Sequence, residues 1–129
     1  MVLAPTIEQE ASESAVATPA EQRRVRLESE LQRFLTVVTE QMHPERIILF
    51  GSLANGQVHE WSDLDLAVIA ETELPFFERL RRVFDWVAPT VGLDVLVYTP
   101  TEWDHLRETR LFVREEIAEK GRVLYERVR

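Results

Sequence analysis

Apolar residues fall into two kinds of run that alternate along the chain. Leu27, Leu31, Phe34, Leu35, Val38 and Met42 recur at i, i+4, i+7, i+8, i+11 and i+15, one apolar stripe of a helix with a 3.6-residue repeat. The start is marked by "TPAEQ". Thr18 suits the N-cap, Pro19 the first helical position, and Glu21, three residues after the cap, completes a capping box. Pro44 marks the end, because a proline pushes the residue before it out of the α region. "RIILF", closed by Gly51, and "LDLAVIA" are short, β-rich apolar runs that read as buried strands. "PFFERLRRVFDWVA" returns to helical spacing, with Phe76, Phe77, Leu80, Val83, Phe84 and Val87 on an apolar face. Glu78, Arg79, Arg81, Arg82 and Asp85 fall largely on a solvated one. "LDVLVY" is a third strand. The Thr-Pro-x-Glu signal returns from Thr99 to Glu102 and opens another helix. A last helical turn or two through Phe112, Val113 and Ile117 stops at Gly121, and "RVLYE" adds a short strand.

This order implies an α/β (α+β) fold, a small mixed β-sheet covered by helices in a single domain. The loop from Ser52 to Ser62 is too short for a crossover helix with its turns, so the first two strands are expected to pair antiparallel. The first twenty residues, rich in Ala, Glu, Ser, Thr and Pro with no apolar period, read as a disordered N-terminal tail. Residues 21–129 then form the domain. A length of 129 residues suits one domain, hence one site.

Charge narrows the partners. A net charge of -8 argues against direct nucleic-acid binding by neutralising phosphates, which needs a surplus of Lys and Arg. No cysteine is present, so thiolate zinc sites and thiol nucleophiles are excluded. No run is long enough to span a membrane, and the expected location is the cytoplasm.

The chemistry-bearing residues sit in "FGSLANGQVHEWSDLDLAVIA". Side chains alternate on a strand, so Asp63 and Asp65 share a face at the mouth of an otherwise apolar run. Two carboxylates this close repel, and a divalent cation satisfies both. Asp94 is a lone acid near the start of "LDVLVY". If the two strands are neighbours, the three carboxylates converge. Gly51 permits a tight turn and close backbone approach, and "SLAN" after it can form a short helix whose free amides face an anion, with the Ser52 hydroxyl as a further donor. Alone, the Gly-Ser turn is an ordinary strand-to-helix connection, and the aspartates suit water as well as metal. Joined, they suit phosphoryl or nucleotidyl transfer. An EF-hand does not fit, since its fifth position would be Ala67. His43, His59 and His105 are scattered and carry no catalytic assignment, and Trp61 reads as a loop aromatic over the edge of the core.

The pattern Gly51-Ser52, ten residues, Asp63-Leu64-Asp65, then Asp94 on a later strand, resembles the minimal nucleotidyltransferases of the DNA polymerase β superfamily. The resemblance runs over about residues 21–129. It implies a nucleotidyltransferase fold in which Gly51 and Ser52 hold the nucleotide triphosphate. It implies that Asp63, Asp65 and Asp94 are catalytic and hold two Mg²⁺ ions, with Asp94 also helping to deprotonate or orient the attacking hydroxyl. Many members carry an arginine just after the Gly-Ser pair, where this chain has Leu53-Ala54-Asn55-Gly56. Members this small resemble the antitoxin of a toxin–antitoxin pair, whose partner is a helical HEPN-domain protein. The implied reaction is Mg²⁺-dependent transfer of AMP from ATP to a hydroxyl, a partner tyrosine. The alternatives are a non-catalytic module that masks its partner, and nucleotidylation of an aminoglycoside-like small molecule across a homo-oligomer.

Overall fold

The computed structural model describes residues 16–128. Of the tail expected over residues 1–20, residues 1–15 lie outside the described residues, and Pro19 and Ala20 already belong to the first helix. That helix, α1 (Pro19–Met42), opens on the expected capping box: Thr18 accepts from the Glu21 amide and Glu21 accepts from the Thr18 amide. It closes at His43, held left-handed at φ 49°, just before Pro44. Its apolar stripe is the buried one. Leu27, Leu31, Phe34 and Val38 sit in the core, and truncating a ring as enclosed as Phe34 to alanine costs about 3–5 kcal/mol.

The remaining elements are β1 (Arg46–Phe50), α2 (Ser52–Asn55), β2 (Leu64–Ile69), α3 (Phe76–Val87), β3 (Leu93–Tyr98), α4 (Pro100–Thr109), a π-helical segment (Val113–Glu119) and β4 (Arg122–Glu126). The sheet order is β3-β2-β1-β4. β1 pairs antiparallel with both β2 and β4, while β2 and β3 run parallel, so the sheet is mixed. The short loop forces the antiparallel hairpin, and α3 supplies the crossover that a parallel pair requires.

Alternation along the strands gives the domain two cores. Ile47, Leu49, Leu64, Leu66, Val68, Val95 and Val97 face α1 and α3. Ile48, Phe50, Ala67, Ile69 and Tyr98 face α4 and the π-helix, whose Trp103, Val113 and Ile117 close that side. Gly121 lets the chain turn back tightly, because a Cβ there would collide with the Ile117 carbonyl and press on Ile48.

Three local expectations need correction. Arg79 is not on a solvated face: it is 6% exposed, donating to the carbonyls of Leu74 and Val97 at 2.8 and 2.9 Å and to Glu102 at 2.7 Å. It lies four residues before Val83 on the buried stripe, and three acceptors satisfy the buried guanidinium. Phe77, counted on the apolar face, is 81% exposed, with its ring set edge to face against Phe76. Trp61 does not cover the core edge either, being 76% exposed.

Candidate active site

The parallel register of β2 and β3 sets Asp65 directly beside Asp94. Asp65 occupies the second position of β2 and Asp94 that of β3, so both point to the face covered by α4 and the π-helix. On the other side Asp65 is paired with Phe50, the last residue of β1. The chain then turns through Gly51, at φ 76° and ψ −158°, into α2. A side chain at Gly51 would collide with Asp65 Oδ2. The glycine is therefore required twice, for its positive φ and for the carboxylate above it.

The Asp65 carboxyl is pushed up to about 7. Burial is the largest cause, followed by the hydrogen bond to Asp94 and the negative charges of Asp94 and Asp63. The donor set is all oxygen and in contact, the kind a hard divalent ion takes, so Asp65 and Asp94 fit a Mg²⁺ and would hold it.

Asp63 stands apart from this pair. It precedes β2, so the pleat does not fix its direction. Its carboxylate lies over Gly92, where any Cβ would collide with Oδ1, and 4.0 Å from the Arg23 guanidinium. Arg23 is itself anchored on the Ser62 carbonyl at 2.8 Å. Of the three carboxylates expected to converge, Asp65 and Asp94 are register partners and Asp63 is near enough for its charge to raise the Asp65 carboxyl. Among the described residues no cluster of three His, Asp or Glu side chains has metal-holding geometry.

The pair opens on a cleft of about 470 Å³ lined by Phe50, Gly51, Val95, Leu96, Phe112 and Glu116 in addition to the two acids. Ser52 follows Gly51 as the first residue of α2. A larger groove, about 730 Å³, lies between α1, α2 and β4, but its floor is Leu31, Leu35, Leu49, Leu53 and Leu124 and it holds none of the aspartates. Asp65 and Asp94 line the smaller one. Gly92 escaped the sequence reading. Its one signal is position, a glycine two residues before Asp94 at the entry of β3.

Strand, Gly-Ser turn, short helix and an acid-bearing neighbour strand are thus one unit. The family model "Polymerase beta, Nucleotidyltransferase" matches residues 32–129. The chain belongs to the polymerase beta nucleotidyltransferase family. Solved structures agree on the nucleotidyltransferase fold. A Sulfolobus solfataricus protein assigned as a nucleotidyltransferase is 18% identical, with a TM-score of 0.63 over 88% of this chain and 92% of that one. A chain of a toxin–antitoxin structure with AMP-PNP is 20% identical, with a TM-score of 0.52 over 74% of this chain and 73% of that one. No curated sequence matches the chain. No helix among the described residues is long and apolar enough to cross a membrane.

Proposed function

We propose that this nucleotidyltransferase transfers AMP from ATP to the hydroxyl of a tyrosine on a HEPN-type toxin partner, as the antitoxin of the pair. The observation that carries the transfer reading is the Asp65–Asp94 pair beside the Gly51 turn. An uncompensated acid pair in an open cleft destabilises the protein alone and becomes favourable once a cation and a polyphosphate arrive. The partner reading draws on the toxin–antitoxin structural neighbour.

In this reading the Gly51–Ser52 turn approaches the triphosphate with backbone amide and hydroxyl. Asp65 and Asp94 would hold Mg²⁺, with the Asp63 carboxylate at the rim of the site. Bound Mg²⁺ supplies charge neutralisation at the transferred group and at the departing pyrophosphate. The acceptor oxygen forms its bond to the α-phosphorus as the α–β bridging bond breaks and pyrophosphate leaves. Asp94 orients the hydroxyl and takes its proton.

The test is incubation of the full chain with α-labelled ATP and Mg²⁺, alone and with a purified HEPN-domain protein taken from the neighbouring open reading frame. Asp65→Asn and Asp94→Asn chains run in parallel. Label on a partner tyrosine that requires Mg²⁺ and both aspartates is the expected result. A tight complex that neutralises the partner with no label, and equally well with the variants, would establish masking instead.

A further inference from the structure

The cleft beside the acid pair has a second end with different chemistry. Phe112 is 52% exposed although the residue next to it, Val113, is buried in the core. One edge of the Phe112 ring is held by Phe50, edge to face with centroids 5.9 Å apart at 84°. The other large rings on this side of the sheet are packed against each other: Phe76 meets Tyr98 at 6.2 Å and Tyr98 stacks on Trp103 at 6.4 Å. Of the two rings lining the cleft, Phe50 is buried and Phe112 is the one with open ring surface, with Leu96 beside it.

Phe112 leads directly into the π-helical segment, pinned by Val113 and Ile117. Its wide turn is closed by the Lys120 amide donating to the Glu115 carbonyl at 3.0 Å. Single π turns recur at functional sites because they re-aim side chains that a regular helix would place elsewhere. Here the segment carries Glu116 to the same cleft. Lys120 Nζ sits 3.0 Å from Glu116 Oε2, which leaves Oε1 free to accept.

We infer that Phe112 and Glu116 form a nucleobase subsite, Phe112 as the stacking surface and Glu116 as the acceptor for an exocyclic amine. The inference rests on the reading above, that the phosphates lie at Gly51, Ser52 and the aspartates. A ligand that reaches both ends of this cleft must be polyanionic at one end and flat and apolar-faced at the other, which describes a nucleotide. The carboxylate adds selectivity. An amine-bearing edge donates to it, whereas a base with a carbonyl at that position sets acceptor against acceptor.

The experiment is calorimetric titration of the full chain, with Mg²⁺, by ATP, ITP and inorganic triphosphate. ITP keeps the purine rings and replaces the amine with a carbonyl. The wild type should bind ATP more tightly than triphosphate, and ITP between them. Phe112→Ala should weaken ATP by roughly ten-fold or more, as loss of a stacking partner does, with triphosphate unaffected and Phe112→Tyr restoring ATP. Glu116→Gln should narrow the gap between ATP and ITP without moving triphosphate. Thermal midpoints confirm that each variant is folded. If ATP binds no better than triphosphate, or Phe112→Ala binds ATP as the wild type does, the subsite is overturned while the phosphate site stands. If neither ATP nor triphosphate binds, the nucleotide reading falls and the subsite with it.

Discussion

Glu30 and Asp65 are acids withdrawn from water on opposite sides of the same sheet, and they have been driven in opposite directions. Glu30, 6% exposed on α1, is gripped by Arg33 at 3.1 and 2.7 Å and accepts from the Thr90 amide at 2.7 Å. Its pKa is lowered, chiefly by the Arg33 hydrogen bonds, which outweigh burial. Asp65 has a second acid where Glu30 has a guanidinium, and its pKa rises to about 7. Burial taxes both charges, and the neighbour decides the sign. Glu30 is an acid in the service of the fold. Asp65 is held at the expense of the fold, the cost that the proposed catalytic role would account for.

The contrast can be broken from either end. The largest effect falls on Asp65→Asn or Asp94→Asn, expected to cut AMP transfer by about 100-fold or more, since a group that stabilises the developing charge is lost. Single-turnover label transfer measures it. Glu30→Ala should leave the transfer rate per folded molecule intact. It should cost about 2 kcal/mol of stability by urea unfolding, because the Thr90 amide and Arg33 lose a buried acceptor.

Smaller effects sharpen the comparison through pH. Burial and the neighbouring acids push the Asp65 carboxyl up to about 7 in the folded chain, against an ordinary 3.8 when unfolded, so between those values the folded state holds more protons. Stability therefore falls as pH rises from about 4 to about 7 on account of Asp65. For Glu30 the sign is reversed: its contribution is present above the unfolded value of 4.5 and is lost as pH falls through its lower folded value. Asp65→Asn should flatten the slope between those limits and stabilise the metal-free chain at pH 8. Allowing for partial exposure, that gain is about 1 kcal/mol, read from urea midpoints across pH. The smallest effect is the ion's own. Added Mg²⁺ should raise the thermal midpoint of the wild type and not of Asp65→Asn, because only a site formed in the folded state links binding to stability.

Most of the architecture was legible because its signals are local. Two Thr-Pro-x-Glu boxes start α1 and α4 where they should, and the loop from Ser52 to Ser62 is too short for anything but a hairpin. What escaped depends on neighbours that sequence spacing does not name. Arg79 was assigned by its charge although its spacing placed it on the buried stripe, and its acceptors come from Leu74, Val97 and Glu102. Asp63 lies one residue before β2 begins, and its surroundings, Gly92 and Arg23, come from elements that spacing does not name. The widened turn at Val113–Glu119 arises where Gly121 must fit under Ile117 and against Ile48, a tertiary demand.

Three side chains of the first helix close around the turn that feeds β3. Arg26 reaches the Thr90 carbonyl at 2.6 Å, Arg33 the Val87 carbonyl at 2.6 Å, and Glu30 the Thr90 amide. Asp94 follows four residues later. The family pattern begins only at residue 32, so a chain trimmed to that boundary would keep every family position and discard two of the three clamps. The boundary at which this enzyme can be shortened is set by the hold on the turn before Asp94, and it lies upstream of where the family likeness starts.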